Sequence, residues 1–218
     1  MILAAGRGER MGDLTINTPK PLLLFKGKPL IVWHIEKLVA AGFEEIIINV
    51  SYLSEKIKDY LGDGSKWNIK IIFSEENPVL ETAGGIKKAL PLLKSDPFIV
   101  INSDIYSDIN YADLRELNFS ECIEAHLIFV ENPVHNKTGD FVLSQGGLVI
   151  NEGENKKTFS GVALYRPIFF EEIPKNEFIR LSTVLKSKAE KKLIKGQIFN
   201  GLWIDIGTPE RLNSQVSL

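Results

Sequence analysis

Short apolar segments rich in β-branched residues recur along the chain and alternate with segments of helical periodicity. Each apolar segment is nearly continuous, as strands buried on both faces of a sheet require. Five of these segments are predicted to be strands: residues 2–5, 45–50, 70–74, 98–102 and 125–130. Their alternation with helices predicts a mostly parallel sheet that helices cover on both faces.

Three helices are predicted between these strands. Pro29 suits the first turn of a helix whose apolar residues recur at helical spacing until Gly42. A second helix is predicted at about 53–61. A third follows Thr82, which is predicted to be its N-cap, and ends near Pro91. The fold class is therefore expected to be α/β.

The second half of the chain differs from the first in the length and connections of its strand-like segments. Its strand-like segments are shorter, are joined by glycine-rich turns, and cover residues 140–143, 148–150 and 158–164. We expect them to form an antiparallel or mixed edge laid over the main sheet, and we expect helices near 182–191 and after Pro209. No internal repeat or low-complexity linker interrupts the sequence. It therefore predicts a single domain over residues 1–218.

Composition narrows the classes of function. The chain has 26 basic and 28 acidic residues and a net charge of −2, so it lacks the basic surplus of many nucleic-acid-binding proteins. The lone cysteine, Cys122, cannot form a disulfide within the chain and fits a reducing compartment. No apolar run approaches the roughly 20 residues that span a membrane. We therefore expect a cytoplasmic protein with small-molecule partners, and neither nucleic acid nor membrane among them.

The first predicted strand runs into a glycine-rich segment, Leu3-Ala4-Ala5-Gly6-Arg7-Gly8-Glu9-Arg10. Without side chains, Gly6 and Gly8 allow backbone N–H groups to approach a polyphosphate closely. Arg7 and Arg10 can donate charge-assisted hydrogen bonds to phosphate oxygens. The spacing matches neither a dinucleotide-binding fingerprint nor a P-loop, and a Gly-x-Gly segment alone is more often a surface turn. The interpretation of this loop therefore depends on the rest of the chain.

Three charged residues, Lys20, Asp104 and Asp205, have unusual settings. Lys20 lies between two prolines, which fix the backbone on either side of it. Asp104 follows a predicted strand, so it is expected at the carboxyl ends of the strands, where open α/β sheets bind ligands. Asp205 lies in an apolar stretch, where a carboxylate is costly unless a cation or hydrogen-bond donors compensate for it. Mg²⁺ binds one or two carboxylates together with substrate phosphates. From the residues alone, metal binding and a structural role stay open for both aspartates.

The glycine-rich segment and the proline-flanked lysine together resemble the signature of the sugar-phosphate nucleotidylyltransferase family. The resemblance covers essentially the whole chain. It implies a Rossmann-like, mostly parallel or mixed sheet flanked by helices, of the glycosyltransferase-A-like nucleotidyltransferase type. It also implies that the glycine-rich segment wraps a nucleoside triphosphate, that the following loop is a lid, and that Arg10 and Lys20 stabilise charge during transfer. The implied cofactor is Mg²⁺, held by Asp104 and Asp205.

The same resemblance assigns residues to the two substrates. The nucleotide-binding half is expected at about 1–110 and the sugar-phosphate-binding half at about 111–218. On the sugar side, we expect Ser160 to offer a free hydroxyl and Gly161 to permit close approach, although such segments are more often structural when judged alone. The residues expected to bind substrate are Ala4, Ala5, Gly6, Arg7 and Gly8 for the triphosphate, Glu81, Gly84 and Gly85 (the base segment) for the nucleobase, Asp140, Glu152, Ser160 and Gly161 for the sugar phosphate, and also Asn102.

Several segments, from 61–65 to 159–161, look like the subgroup that uridylylates N-acetylmuramic acid 1-phosphate in peptidoglycan recycling. The resemblance therefore implies UTP and this sugar phosphate as substrates. It favours a monomer, because the subgroup lacks the C-terminal extension that many relatives use to oligomerise. Lys156, Lys157 and Arg180 are candidates, by charge, for reading the lactyl carboxylate of the sugar.

Two alternatives stay open. One is a guanylyl- or cytidylyltransferase acting on another phosphorylated acceptor, such as mannose or heptose phosphate or phosphocholine. The other is a protein that binds a nucleotide sugar without turnover. The presence of Arg10, Lys20, Asp104 and Asp205 in one chain argues against the second alternative, because a protein that only binds would not need both metal carboxylates.

Overall fold

A seven-stranded mixed sheet lies at the centre of the computed structural model, which describes residues 1–118 and 120–214. The strands in chain order are β1 (Ile2–Leu3), β2 (Leu24–Phe25), β3 (Lys28–Pro29), β4 (Glu45–Val50), β5 (Lys70–Glu75), β6 (Phe98–Asn102), β7 (Ile105–Ser107), β8 (Ala125–Val130), β9 (Val142–Leu143), β10 (Val149–Ile150), β11 (Thr158–Tyr165), β12 (Ile194–Ile198) and β13 (Trp203–Asp205). The α-helices are α1 (Leu30–Ala40), α2 (Ser54–Leu61), α3 (Glu81–Ala89), α4 (Tyr111–Arg115), α5 (Leu181–Glu190) and α6 (Pro209–Ser214). The predicted α/β class is confirmed.

The strand order across the main sheet is β12-β8-β11-β6-β1-β4-β5. β5, β4, β1 and β6 pair in parallel, and β12 pairs in parallel with β8. β11 runs antiparallel to both of its neighbours, β6 and β8. The sheet is therefore mixed, as predicted, and both predicted halves of the chain contribute strands to it.

Apolar side chains pack on both faces of the sheet. In β4, Ile46 and Ile48 belong to the core shared with α1, α2 and α4, whereas Ile47 belongs to the core shared with α3 and α5. Successive residues of a strand point to opposite faces, so a strand covered on both faces must be apolar throughout. This explains why the strand lacks an alternation of polar and apolar residues.

Most predicted element boundaries agree closely with the structure. The strands predicted at 45–50, 98–102 and 125–130 are confirmed at both ends. β1 is shorter than predicted and ends at Leu3, while β5 continues to Glu75. Within residues 1–118 and 120–214, no helix has the length and apolar character needed to cross a bilayer.

The start of α3 differs from the prediction. The helix begins at Glu81, and no side chain caps it, so the predicted N-cap at Thr82 is wrong. The N–H groups of Ala83 and Gly84 donate instead to the carbonyl oxygen of Ile179, at 3.0 and 3.3 Å. A backbone carbonyl far along the chain thus accepts two of the four free N–H groups of the first turn, a role that a capping side chain often fills.

β11 is an interior strand, whereas the sequence predicted that its residues belong to an edge. It lies between β6 and β8, and residues 160–165 are all buried. β9 and β10, the other two segments of the predicted edge, form a separate two-stranded sheet. The prediction failed because Ser160 and Gly161 interrupt the apolar run that usually marks a central strand.

Candidate active site

The carboxyl ends of adjacent parallel strands meet at one edge of the main sheet. Ala4 and Ala5 follow β1, and Asn102 ends the neighbouring β6. Because β11 runs antiparallel to β6, it brings its first residues, including Gly161, to the same edge. Open α/β sheets bind ligands at this kind of edge. The glycine-rich loop and Gly161 therefore lie at the same edge of the sheet, with β6 between their strands.

The two glycines of the glycine-rich loop lie in different surroundings. A Cβ atom at Gly6 would have no heavy atom within 4 Å, so the backbone there faces open space. Gly8 has a φ of 67°, and a Cβ atom there would lie 3.0 Å from the Cβ atom of Lys20. Gly8 thus allows the loop to pack against Lys20, while Gly6 leaves the backbone accessible to a ligand.

The two arginines of the loop have different contacts. The guanidinium of Arg7 lies 5.7 Å from the ring centroid of Tyr52. The hydroxyl of Tyr52 is 3.1 Å from the carbonyl oxygen of Thr15 and 3.0 Å from that of Ile16, so it can donate to the loop backbone. Arg10 is exposed and has no hydrogen-bond or ion-pair partner in the part of the chain that the structure describes. Arg10 is therefore a cation that the fold leaves available for an anion.

Lys20 is a buried cation that lies between two prolines. It begins a short 3-10 turn, and its side chain is 9% exposed. Its Nζ atom donates to Oδ2 of Asp104 at 2.5 Å. A buried ammonium needs such a partner because its desolvation is otherwise costly. The structure therefore brings the lysine of the predicted signature to the first predicted metal carboxylate.

The two aspartates are brought to neighbouring positions by a short β-ribbon. β13 pairs antiparallel with β7, with Asp205 opposite Ile105. The N–H group of Ile206 donates to the carbonyl oxygen of Asp104 at 2.8 Å. The two aspartates are 101 residues apart in the sequence. The structure joins their segments through backbone hydrogen bonds.

Asp205 is held by two side chains that the sequence interpretation had left without a role. Nη1 of Arg211 lies 2.8 Å from its Oδ2 atom, and Nε2 of His135 lies 3.0 Å from the same atom. Arg211 comes from α6, and His135 comes from the loop after β8. The expected compensation for a carboxylate in an apolar stretch is therefore supplied by these cationic and hydrogen-bonding groups.

The donor set at this edge suits Mg²⁺ bound together with phosphates. Within the described residues, no group of three or more His, Cys, Asp or Glu side chains is arranged to hold a metal by itself. Mg²⁺ does not require such a cage, because it commonly takes one or two carboxylates and fills its other positions with phosphate oxygens and water. The partly exposed carboxylates of Asp104 and Asp205 meet that requirement.

The predicted base segment packs tightly against the rest of the chain. A Cβ atom at Gly84 would overlap the backbone carbonyl of Glu177, and one at Gly85 would overlap the carboxylate of Glu76. Both glycines are thus required by the protein's own packing, and their contact with a nucleobase stays a prediction. Glu81 has a φ of 61° and lies 3.9 Å from Arg180.

Asn102 and Gly161 lie side by side across the β6–β11 pair. Gly161 has a φ of 81° within an irregular stretch of β11, and a Cβ atom there would lie 2.6 Å from Nδ2 of Asn102. The group that lies close to the backbone of Gly161 in this structure is therefore the side chain of Asn102. Ser160 is 1% exposed, and its Oγ accepts a hydrogen bond from the N–H of Val162 at 3.2 Å. The expectation of a free hydroxyl at Ser160 is wrong, because the residue belongs to an interior strand.

The two predicted sugar-side carboxylates belong to different loops. Asp140 lies near the start of β11, where its Oδ2 accepts the N–H of Phe159 at 2.8 Å and its Oδ1 accepts from Asn136 at 3.2 Å. Glu152 is exposed and lies 3.5 Å from Lys156. The structure therefore fixes Asp140 within a hydrogen-bonded turn and leaves Glu152 on the surface.

Sequence reasoning missed two buried polar residues at this edge, Asn49 and Glu76. Both are 3% exposed and hydrogen-bond to each other. Asn49 had a signal that could have been used, since it is a polar residue near the end of an otherwise apolar strand. His126 is another buried polar residue; it lies within β8, where burial lowers the pKa of its imidazole.

Comparison with known proteins shows relatives that match most or all of this chain. The chain is 48% identical, over its full length and 96% of the relative's, to a Neisseria meningitidis serogroup B protein named N-acetylmuramate alpha-1-phosphate uridylyltransferase. It is 30% identical, over 96% of its length, to the catalytic subunit beta of mannose-1-phosphate guanylyltransferase from Drosophila pseudoobscura pseudoobscura, of which it spans 59%. The solved structure of an inositol-1-phosphate CTP transferase from T. maritima has the same fold, with a TM-score of 0.79 at 23% identity over 99% of this chain and 91% of that one.

The predicted nucleotidyltransferase fold is thus confirmed. The sequence profile described as nucleotidyl transferase matches residues 1–147, which include the glycine-rich loop, Lys20 and Asp104. This match and the relative that aligns along the whole chain show that the protein belongs to the nucleotidyl transferase family.

Proposed function

We propose that this protein transfers UMP from UTP to N-acetylmuramic acid 1-phosphate and releases pyrophosphate. The observation that carries the proposal is the junction of Lys20, Asp104 and Asp205 beside an open glycine-rich loop. The choice of substrates is supported by the name of the relative that is 48% identical along the whole chain.

The proposed reaction is an in-line substitution at the α-phosphorus of UTP. A phosphate oxygen of the sugar 1-phosphate forms a new bond to that phosphorus, and the bond from the phosphorus to the oxygen bridging it to the β-phosphate breaks. Pyrophosphate leaves with the electron pair of the broken bond. The chain's contribution is to position the two anions and to neutralise charge that develops in the transition state.

The cations of the site have distinct proposed roles. The exposed Arg10 binds the triphosphate as the loop folds over it, and the buried Lys20 supplies a fixed positive charge beside Asp104. The backbone at Gly6 is open to the phosphates. Asp104 and Asp205 are the residues that would hold Mg²⁺, which when bound supplies further positive charge to the phosphate oxygens.

The remaining predicted residues are assigned to the two substrates. Glu81, Gly84 and Gly85 are proposed for the base side. The sugar side is assigned to Asn102, Asp140, Glu152, Ser160 and Gly161, with Ser160 acting through its place in β11 because its hydroxyl is engaged. The enzyme is proposed to act as a cytoplasmic monomer.

Among the three basic candidates, Lys156 is best placed to read the lactyl carboxylate. Lys157 is already bound to both carboxylate oxygens of Glu131, at 2.7 Å each. Arg180 lies next to Glu81, on the base side. Lys156 pairs at 3.5 Å with the exposed Glu152, on the side of the molecule assigned to the sugar.

Pyrophosphate release tests the proposal. The protein is incubated with Mg²⁺, with UTP, GTP or CTP in turn, and with the 1-phosphates of N-acetylmuramic acid, N-acetylglucosamine or mannose. We expect the highest kcat/KM for UTP with N-acetylmuramic acid 1-phosphate, because a site built for an extra carboxylate leaves polar groups unpaired when that group is missing. A preference for GTP or for another sugar would overturn the substrate assignment, and no release with any pair would overturn the activity.

A further inference from the structure

A chain of buried hydrogen bonds joins the start of the glycine-rich loop to the start of the predicted base segment. The N–H of Ala4 donates to Oδ1 of Asn49 at 2.8 Å, and Nδ2 of Asn49 donates to Oε1 of Glu76 at 2.7 Å. The N–H of Leu80 donates to the other carboxylate oxygen of Glu76 at 2.9 Å. These side chains bridge two segments that are 76 residues apart at the proposed nucleotide site.

The donor and acceptor groups fix the direction of this chain of hydrogen bonds. A backbone N–H can only donate, and here one stands at each end, on Ala4 and on Leu80. The primary amide of Asn49 accepts on one side and donates on the other. The next group must therefore accept on both sides, which an ionised carboxylate does and an amide cannot. Glu76 is thus the residue type that the chain of hydrogen bonds requires at this position.

The surroundings keep Glu76 in place. The residue is 3% exposed, and within the described residues its side chain has no lysine or arginine within ion-pair distance. A Cβ atom at Gly85 would overlap Oε1 of Glu76 and lie 3.0 Å from Nδ2 of Asn49. A buried carboxylate that is held only by hydrogen bonds is costly unless each of them is made, so its neighbours must keep this arrangement.

We propose that Glu76 is a positioning residue for the nucleotide, which acts together with Asn49 by setting the spacing between the glycine-rich loop and the base segment. This inference rests on the proposed function, because that proposal assigns the triphosphate to one segment and the base to the other. One nucleotide spans both segments, so a change in their spacing weakens its binding. The sugar phosphate depends on other residues and is expected to be affected little.

Exchange of the two polar groups gives a sharp test. In Glu76→Gln, an amide cannot accept on both sides. In Asn49→Asp, two carboxylates face each other. In the double variant, Asn49→Asp with Glu76→Gln, every donor again has an acceptor. Its carboxylate at position 49 accepts from Ala4 and from the new amide at position 76, whose own oxygen accepts from Leu80. We expect each single change to raise the Kd for UTP on the order of tenfold, and the double variant to return to within about threefold of wild type.

The readouts separate positioning from general stability. The Kd for UTP is measured by calorimetry, the KM for the sugar 1-phosphate by pyrophosphate release, and the melting temperature by circular dichroism. Glu124→Gln is the matched control, because it alters a carboxylate that is 13% exposed and pairs with Lys188 at 2.7 Å just before β8, at the opposite edge of the sheet. The control is expected to lower the melting temperature and to leave the Kd for UTP unchanged.

Two further measurements keep the proposal falsifiable. If a single exchange variant does not fold, Asn49→Ala cuts the connection to Ala4 and leaves the bond from Leu80 to Glu76 intact, so it should also raise the Kd for UTP. In ligand-free protein, amide exchange at Ala4 and Leu80 should quicken in Glu76→Gln and slow again in the double variant. Folded Glu76→Gln or Asn49→Ala protein that binds UTP as wild type does would overturn the positioning role, as would a double variant no better than the singles. Failure of the wild type itself to release pyrophosphate counts instead against the proposed function.

Discussion

At the scale of single residues, the site is organised by pairs of opposite charge. Lys20 lies against Asp104, and Arg211 lies against Asp205. Each carboxylate proposed for metal binding thus already has a cation of the protein beside it. Arg10 of the glycine-rich loop lacks such a partner among the described residues. Its guanidinium is therefore available to bind an anionic substrate.

Removal of the lysine charge should affect turnover more than sugar-phosphate binding. We expect Lys20→Ala to lower kcat on the order of 10²–10³-fold, as the loss of a single preorganised donor does in other enzymes. The KM for the sugar 1-phosphate should change little, because Lys20 is assigned to the triphosphate. Steady-state kinetics with both substrates varied provides the measurement.

The matched control is Lys94→Ala. Its side chain is 74% exposed and lies 3.7 Å from Glu45, at the start of β4 and therefore at the opposite edge of the sheet. Its kinetics should equal those of the wild type. Normal turnover in Lys20→Ala, with only a raised KM for the sugar phosphate, would mean that the lysine serves the other substrate.

At the scale of elements, α1 and α4 meet through a buried histidine. Nδ1 of His34 lies 2.9 Å from the hydroxyl oxygen of Tyr111, and both residues are almost fully buried. Burial lowers the pKa of His34 to about 4. The folded protein therefore holds this imidazole neutral in the interface between α1 and α4.

This interface should make stability depend on pH. An ordinary histidine has a pKa of about 6.5, so between about pH 6.5 and pH 4 the unfolded chain binds a proton that folded His34 does not bind. The contribution of neutral His34 to the free energy of unfolding is complete above pH 6.5. It is lost as the pH falls, by up to about 1.4 kcal/mol per pH unit. Urea unfolding at pH 7.5 and pH 5 should show this loss in wild type and less of it in His34→Gln.

Tyr111→Phe is the control for that measurement. It removes the hydroxyl partner but keeps the titrating ring of His34, so the loss of stability between the two pH values should remain. An equal loss in wild type and in His34→Gln would show that other groups cause the acid sensitivity.

Elements that depend on local pattern could be predicted, whereas contacts between distant segments could not. The strand at 45–50 was predicted correctly because burial on both faces leaves an uninterrupted apolar run. The prolines around Lys20 and the apolar neighbours of Asp205 likewise marked the two charges in the sequence. The carbonyl of Ile179 that caps α3 leaves no such signal, because any residue supplies a backbone carbonyl. The same holds for the partners of Asp205, which only the tertiary fold selects.

At the scale of the whole molecule, one sheet carries the residues assigned to both substrates. β1 ends at the proposed nucleotide side, β11 starts at the proposed sugar side, and β6 lies between them. The expectation of a single domain over 1–218 remains a prediction, and the shared sheet supports it. The pairs of opposite charge at the joined strand ends also bear on how the fold depends on metal.

Metal removal should abolish activity and leave the fold intact. We expect excess chelator to stop pyrophosphate release, because two carboxylates and a triphosphate repel one another without a bound cation. The melting temperature should change by no more than a few degrees, because Lys20 and Arg211 already compensate Asp104 and Asp205.

Added Mg²⁺ should restore turnover in wild type. Asp104→Asn and Asp205→Asn should each keep a wild-type circular dichroism spectrum and lose most activity at low Mg²⁺. Full turnover in chelator would remove the metal from the proposal, and near-normal turnover in one variant would remove that residue as a ligand.

The position of β11 also bears on how specificity can change. Its backbone pairs with β6 from Phe98 to Ile101. We infer that the proposed nucleotide and sugar sides cannot separate by rotation of one predicted half of the chain against the other. We therefore propose that neighbouring strands set the distance between the two reacting phosphates, while the loop between β10 and β11 remains outside the sheet. That loop can change in sequence and length without altering the strands between which the phosphates are proposed to meet. A fold of this kind lets descendants of one enzyme take up new sugars while the transfer step stays the same.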